Sequence, residues 1–383
     1  MYAVPASVLA ARAQFPITRN CIYFDIANMN SPPLGVTGTI AGFFAAMQQG
    51  SADKSDWVRE IEKTRRKAAT LLGCEPGEIA FVKNTSEGLN ISANAIDWRP
   101  GDNVVVPVHE HPNNVFPWLN LQRRGVEVRL VPETGEWVDA ELLAPFVDHR
   151  TRAVAVADVS FLPGQRNDLA GIATLCRDRG AHLVVDGVQA VGLLDVRPGD
   201  LGVAMWSSSA HKGLLSPHGI GLFFCQRELI SELAPVYAAR ASMVPNPEDD
   251  HLVQENGGRL QDDARRFEIG NFNYSGISAM GSALDLILEI GIADIERHVR
   301  ALSEYLSEKL SERQIRRLGP DDPARQSAIC AFNLPGEGWI EYFAAHDIVV
   351  SGRGGAVRAS FGLYNTFEEI DRFIIVLDGR LER

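Results

Sequence analysis

Val184-Val185-Asp186-Gly187-Val188-Gln189-Ala190, with Ser208-Ser209-Ala210-His211-Lys212-Gly213 downstream, is the stretch from which the architecture of this chain can be read. The apolar, β-branched run into Asp186 predicts a buried strand over residues 182–186 that ends on an acid. Open α/β sheets bind their ligands at the carboxyl ends of strands. Working outward, residues 78–83, 103–107, 127–131, 153–159 and 219–224 also read as strands, with helical patterns after several of them. Leu169, Ile172, Leu175 and Cys176 recur at helical spacing, predicting a helix over 169–179. Such alternation implies an α/β fold, a mainly parallel sheet with helices on both faces. From residue 276 the pattern changes to two long helices, 276–290 and 292–313, followed by short strands near 328–333 and 356–360. That shift predicts a smaller C-terminal α+β domain.

The 383 residues, 45% of them hydrophobic, suffice for a large core and more than one domain. A formal net charge of -12 without a Lys/Arg run argues against nucleic acid and against an anionic membrane surface. The expected partners are small molecules or a second copy of the chain. Cys21, Cys74, Cys176, Cys225 and Cys330 are scattered without metal-ligand spacing, so no metal and no disulfide framework is expected. Residues 1–19 lack the layout of a secretory signal, and no apolar run approaches the ~20 residues of a membrane span. A soluble protein of the reducing cytoplasm is the expectation. Neither a Gly-x-x-x-x-Gly-Lys-Ser/Thr loop nor a Gly-x-Gly-x-x-Gly after a strand is present, which removes the common nucleotide cradles.

An acid at a strand end followed by a lysine amid small residues suits pyridoxal 5′-phosphate. A carboxylate against the pyridine nitrogen keeps that ring protonated and able to accept electrons, and the aldehyde is stored as an imine on a lysine before transfer to a substrate amine. Asp186 and Lys212 are the candidates. Asn84-Thr85-Ser86-Glu87-Gly88 lies where a strand runs into a helix; unpaired N–H groups and the hydroxyls of Thr85 and Ser86 would receive a phosphate there. Arg358, at the end of a short strand, has the fork that matches a carboxylate, with Arg353 in the Ser351-Gly352-Arg353-Gly354-Gly355 loop a second candidate.

From about Tyr23 to about Asp371 the sequence resembles the class V aminotransferase family, which includes cysteine desulfurases, kynureninases, epimerase-like proteins and carbon–sulfur lyases. The resemblance is carried by Asp186-x-x-Gln189, Ser209-x-His211-Lys212, Arg266-Phe267-Glu268-x-Gly270-Asn271 and Val357-Arg358-x-Ser360-x-x-x-Tyr364-Asn365-Thr366. It implies the type I pyridoxal-phosphate fold, with a seven-stranded sheet, and a homodimer with active sites at the subunit interface. The division implied is an N-terminal segment (1–30) packing with the small domain, a large cofactor-binding domain (31–275) and a small C-terminal domain (276–383). The same resemblance puts Ser209 and His211 at the cofactor, has Gln189 donate to the ring's phenolic oxygen, stacks His111 on the pyridine and gives Arg358 the substrate α-carboxylate. Asn271, standing where the family often has Thr, would reach the partner's phosphate. Lys212, freed as an amine, would remove the α-proton of an amino-acid-like substrate. A cysteine desulfurase also needs a nucleophilic cysteine on a mobile loop, whereas Cys330 lies in an apolar run typical of a buried strand. The expected reaction is therefore β-elimination by a carbon–sulfur lyase, with transamination next, then epimerisation or a decarboxylating variant, and desulfuration last. Residues that read the substrate side chain are expected in loops such as 239–262.

Overall fold

The computed structural model describes residues 4–132, 137–247, 252–254 and 257–381. Of the predicted recognition loop, residues 248–251 and 255–256 lie outside the described residues. Seven strands make the central sheet: β1 (Ile79–Val82), β2 (Asn103–Pro107), β3 (Glu127–Val131), β4 (Thr151–Ala157), β5 (His182–Asp186), β6 (Met205–Ser209) and β7 (Gly221–Cys225). Their order is β1-β7-β6-β5-β4-β2-β3, and only the pairings of β7 with its two neighbours are antiparallel. The fold is thus α/β with a mostly parallel sheet flanked by helices, as the alternation predicts.

Successive residues of a strand face opposite sides. Val154, Val156 and Val185 enter one hydrophobic core, while Ala153, Ala155 and Val184 enter another. Burial on both faces explains why these strands read as unbroken apolar runs. Helix α1 (Leu34–Gln48) is largely exposed. α2 (Lys54–Leu72), α5 (Leu169–Arg179), α6 (Tyr274–Ile290) and α7 (Ile292–Ser311) pack into the first core, and α3 (Thr85–Ala95) into the second. In α5 the inward residues are Leu169, Ile172, Ala173 and Cys176, with Leu175 half-buried.

Strand β6 corrects the sequence reading, which has no strand at 205–209. Its Ser207-Ser208-Ser209 run lacks the expected apolar character, yet all three serines are buried because their hydroxyls find partners. Beyond the sheet, β8 (Ile329–Phe332), β9 (Ser351–Arg353) and β10 (Ala356–Ser360) form an antiparallel sheet in the order β9-β10-β8, followed by α8 (Phe367–Leu381). Ile22–Tyr23 pairs in parallel with Ile348–Val349, and Asp25 bridges to Ser360. This brings the chain start against the hairpin that carries Arg353 and Arg358.

Candidate active site

The carboxyl ends of β4, β5 and β6 open into a cavity of about 500 Å³. Ten of the sequence-predicted residues line it: Thr85, Ser86, His111, Asp186, Gln189, Ser209, His211, Lys212, Arg353 and Arg358. Asn271 does not. It is exposed in a separate surface depression with Glu62, Arg265 and Tyr274.

Asp186 ends β5 and is 4% exposed, and its Oδ1 accepts the Val188 N–H at 3.0 Å. Burial pushes its carboxyl up to about 6, against the opposing pull of that N–H and of Lys212. Burial likewise brings Lys212 down to about 8, with Asp186 opposing and the Arg358 and Arg353 charges assisting. The turn holding Lys212 is set by close backbone contact, since a Cβ on Gly213 would lie 2.2 Å from the Val191 oxygen.

At the first turn of α3, capped by Asn84 Oδ1 on the Glu87 N–H, Thr85 meets the end of β6. Ser209 N donates to Thr85 Oγ1, Thr85 N donates to Ser209 Oγ, and the two hydroxyls share one further bond, each contact 2.8 Å. Two hydroxyl protons with one spent between them leave a single proton for an anion. The two side chains therefore act as one donor, where the sequence counts each separately. His211 stacks on the exposed His218 at 4.1 Å, and burial, His218 and Lys212 bring its imidazole down to about 4.

His111 caps α4 (Pro112–Leu119): its Nδ1 accepts the Asn113 N–H, which leaves the proton of the neutral ring on Nε2. Burial and three cations, Lys212, Arg353 and Arg358, hold its pKa below the ordinary value, and Phe161 packs edge-on at 5.3 Å. Gln189 Nε2 donates to the Ala27 oxygen at 3.1 Å, which occupies one of its two amide hydrogens. Arg358 is 1% exposed; its Nε donates to Ser351 Oγ at 3.1 Å and its Nη1 to the Phe161 oxygen at 2.8 Å. Its Nη2 has no hydrogen-bond acceptor and lies 3.7 Å from Asp25 Oδ1, itself buried without a donor. Arg358 lines the cavity, and its planar fork suits a carboxylate ligand, with Asp25 the ion-pair partner of the buried Nη2.

Sequence reading missed Asp25, Asn28 and Phe161, and gave no role to Glu110 and Ser351 although it singled out the segments that hold them. They reach the site through strand pairing and loop packing, for which no motif or spacing gives a signal. The Arg266-Phe267-Glu268 segment is internal on this chain: Glu268 is buried, bonded to Arg65 at 2.7 Å and to the Phe81 N–H at 2.8 Å, and Arg266 Nη1 donates to the Ile230 oxygen.

The donor set fits pyridoxal phosphate: a buried acid at a strand end, a lysine with lowered basicity, and a helix N-terminus with one free hydroxyl proton, all on a single cavity. Residues 40–373 match the family described as aminotransferase class-V. The chain belongs to the class V aminotransferase family. A probable cysteine desulfurase of Methanothermobacter thermautotrophicus is 30% identical over 392 residues, 94% of each chain. The apo structure of a cysteine desulfurase from Thermococcus onnurineus superposes with a TM-score of 0.88 at 25% identity, covering 100% of this chain and 99% of that one. The cystine C–S lyase C-DES, solved with its reaction product cysteine persulfide, shares the fold at a TM-score of 0.87 and 22% identity, covering 95% and 99%. This class V family member is a pyridoxal-phosphate-dependent enzyme.

Proposed function

We propose that the enzyme cleaves a carbon–sulfur bond by β-elimination from an S-substituted cysteine. The observation that carries this reading is the composition of the cavity wall, which among the described residues contains a lysine, two arginines and two histidines but no cysteine. Cys330, the one late cysteine, is fully buried in β8 with its thiol pKa raised by burial. Cys21 and Cys74 are half-buried away from the cavity, and their thiols are raised as well. None of the five cysteines lines the cavity, so we assign no thiol to take up sulfur.

When bound, pyridoxal phosphate supplies an electron sink for negative charge developing at the substrate Cα. Thr85, Ser86, Ser209 and His211 would hold its phosphate, and Asp186 would face its pyridine nitrogen. Arg358, which lines the cavity, receives the α-carboxylate. Lys212 Nζ, whose basicity burial lowers, removes the Cα proton. Departing sulfur needs a hydrogen-bond donor, and His111 Nε2–H on the cavity wall is the one we assign. Loss of the thiol leaves 2-aminoacrylate, which tautomerises to an imine that water hydrolyses to pyruvate and ammonia.

The names of the relatives favour a second reading, cysteine desulfuration. Incubation with cysteine, cystine and S-substituted cysteines separates the readings. Pyruvate, ammonia and thiol in equal amounts support the lyase. Alanine with sulfane sulfur on the protein, abolished by Cys330→Ser, would establish the desulfurase instead. Stoichiometric aminated cofactor with a keto acid would mean an aminotransferase.

A further inference from the structure

We propose that Arg353 reads a second negative charge, so that the preferred substrate is a cysteine whose S-linked substituent ends in an acid. This rests on the amino-acid reading of the site given above and names its substrate class. The argument begins with the charges around the cavity. Asp186 faces Lys212. Glu110 is held by protein donors, its Oε1 by the Ala157 N–H at 2.6 Å and its Oε2 by Asn114 Nδ2 at 3.1 Å. Asp25 lies 3.7 Å from Arg358. Among the described residues Arg358 has a carboxylate within ion-pair distance and neither Lys212 nor Arg353 does; Lys212 is committed to the cofactor aldehyde, which leaves the exposed cation of the cavity, Arg353. Its Nη2 instead donates to Asn28 Oδ1 at 3.3 Å and its Nη1 to the Gly352 oxygen at 2.9 Å. These two contacts orient the guanidinium and leave other N–H groups of the fork for a ligand.

The hairpin sets the distance between the two arginines. Ser351 pairs with Arg358 and Arg353 with Ala356. Since side chains alternate with a period of two, Arg353 shares the face of Arg358 and sits on its diagonal, at a spacing of ~7–8 Å. Arg358 is buried at the inner position, and Arg353 is exposed at the outer one. Both positive charges are felt at His111 and at Lys212, so both face the same space. An inner and an outer guanidinium so spaced suit two anionic ends on one ligand. A cysteine carrying a short S-linked acid has that length, with its Cα and sulfur between the two arginines.

Titration of the holoenzyme, followed by the cofactor's visible spectrum, tests this with two ligands that differ only in charge, S-carboxymethyl-cysteine and its amide, S-carbamoylmethyl-cysteine. A charge-assisted pair predicts that the acid binds about 10-fold or more tightly than the amide, that Arg353→Gln brings the two within about twofold, and that Arg353→Glu reverses the order. Equal binding by the wild type, or a preference that survives in Arg353→Gln, would overturn the proposal. So would an Arg353→Gln enzyme weakened equally for both ligands, which would make Arg353 a second clamp on the α-carboxylate. If neither ligand perturbs the spectrum, the amino-acid reading of the site fails and takes the proposal with it. If both bind with the predicted preference but no pyruvate forms, the lyase reading fails and the assignment of Arg353 stands.

Discussion

Lys212 must be scarce in protons to act as a base, and its surroundings arrange this through burial and two neighbouring guanidiniums, with Asp186 opposing. Lys212→Ala is expected to lose the visible absorbance of bound cofactor and turnover together. Borohydride reduction of the wild-type holoenzyme should leave the cofactor on the peptide containing Lys212; a label on another lysine would remove the assignment. Asp186→Ala should separate the two properties, retaining cofactor through the first turn of α3 while losing most activity, because an uncharged pyridine is a poor electron sink. Near-normal turnover in that variant would take Asp186 out of the chemistry. His211 gives the pH dependence. An unfolded histidine takes its proton near 6.5, while the folded ring waits until about 4. Between these values the unfolded chain binds more protons, so the stability contributed by His211 is fully present above about pH 6.5 and is lost as pH falls towards 4. Urea unfolding of the cofactor-free protein across that window should show a shallower pH slope in His211→Gln, and a partly reduced one in His218→Ala. An unchanged slope in His211→Gln would show that the stacked ring does not govern it.

At the scale of elements, α2 is tied to β1 by a charge buried in the protein. Arg65, from α2, donates to the Ile79 oxygen and to Glu268 and lies 4.7 Å from the centre of the Phe81 ring, while Glu268 accepts the Phe81 N–H. Both side chains are at most 2% exposed. Glu268→Ala removes one of the two carboxylates on Arg65, leaving Glu62 at 3.0 Å, and takes the acceptor from a strand N–H, so a loss of about 1–3 kcal/mol is expected in denaturant unfolding. A loss below about 0.5 kcal/mol would show that Glu62 alone suffices to hold Arg65 and that the Glu268 contact is not what ties the two elements. The same scale decides what the sequence could reveal. Parallel strands buried on both faces, such as β4 and β5, announce themselves as apolar runs, and the long α6 and α7 by their periodicity. β6 does not, because Ser207 is buried by bonding to the Thr85 and Leu222 oxygens, partners on two other elements. The site divides in the same way. Asp186 and the Thr85 turn sit at a strand end and a helix start that local pattern locates, whereas Lys212 follows the strand that pattern does not reveal and His111 is legible only through the family resemblance. Asp25 joins Arg358 only through a bridge between the chain start and β10, and Thr85 and Ser209 become one donor only when α3 meets β6.

For the whole molecule, the position of Asn271 bears on how many chains build one site. Asn271 follows the positive-φ Gly270 and is turned away from the cavity of its own chain, in a depression with Glu62, Arg265 and Tyr274. Nearby, α1 leaves Leu34, Phe44 and Met47 about half exposed, and Val58 of α2 is similarly open. Apolar area of this kind is costly to leave in water. We propose that a second copy covers it and that each Asn271 completes the phosphate site of the partner, as the family resemblance implies. An amide that donates to a phosphate across an interface has a distinct signature. Asn271→Ala should weaken cofactor binding in the dimer by about 10-fold, the worth of one hydrogen bond to a charged group, without altering unfolding of the cofactor-free protein. A charge placed in the apolar face, Phe44→Glu, should dissociate the dimer and lower cofactor affinity at the same time, since both sites then lose their partner residue. Sedimentation and cofactor titration on the same samples check this. A wild-type enzyme that sediments as a monomer at assay concentration while fully loaded and active would show that one chain is sufficient.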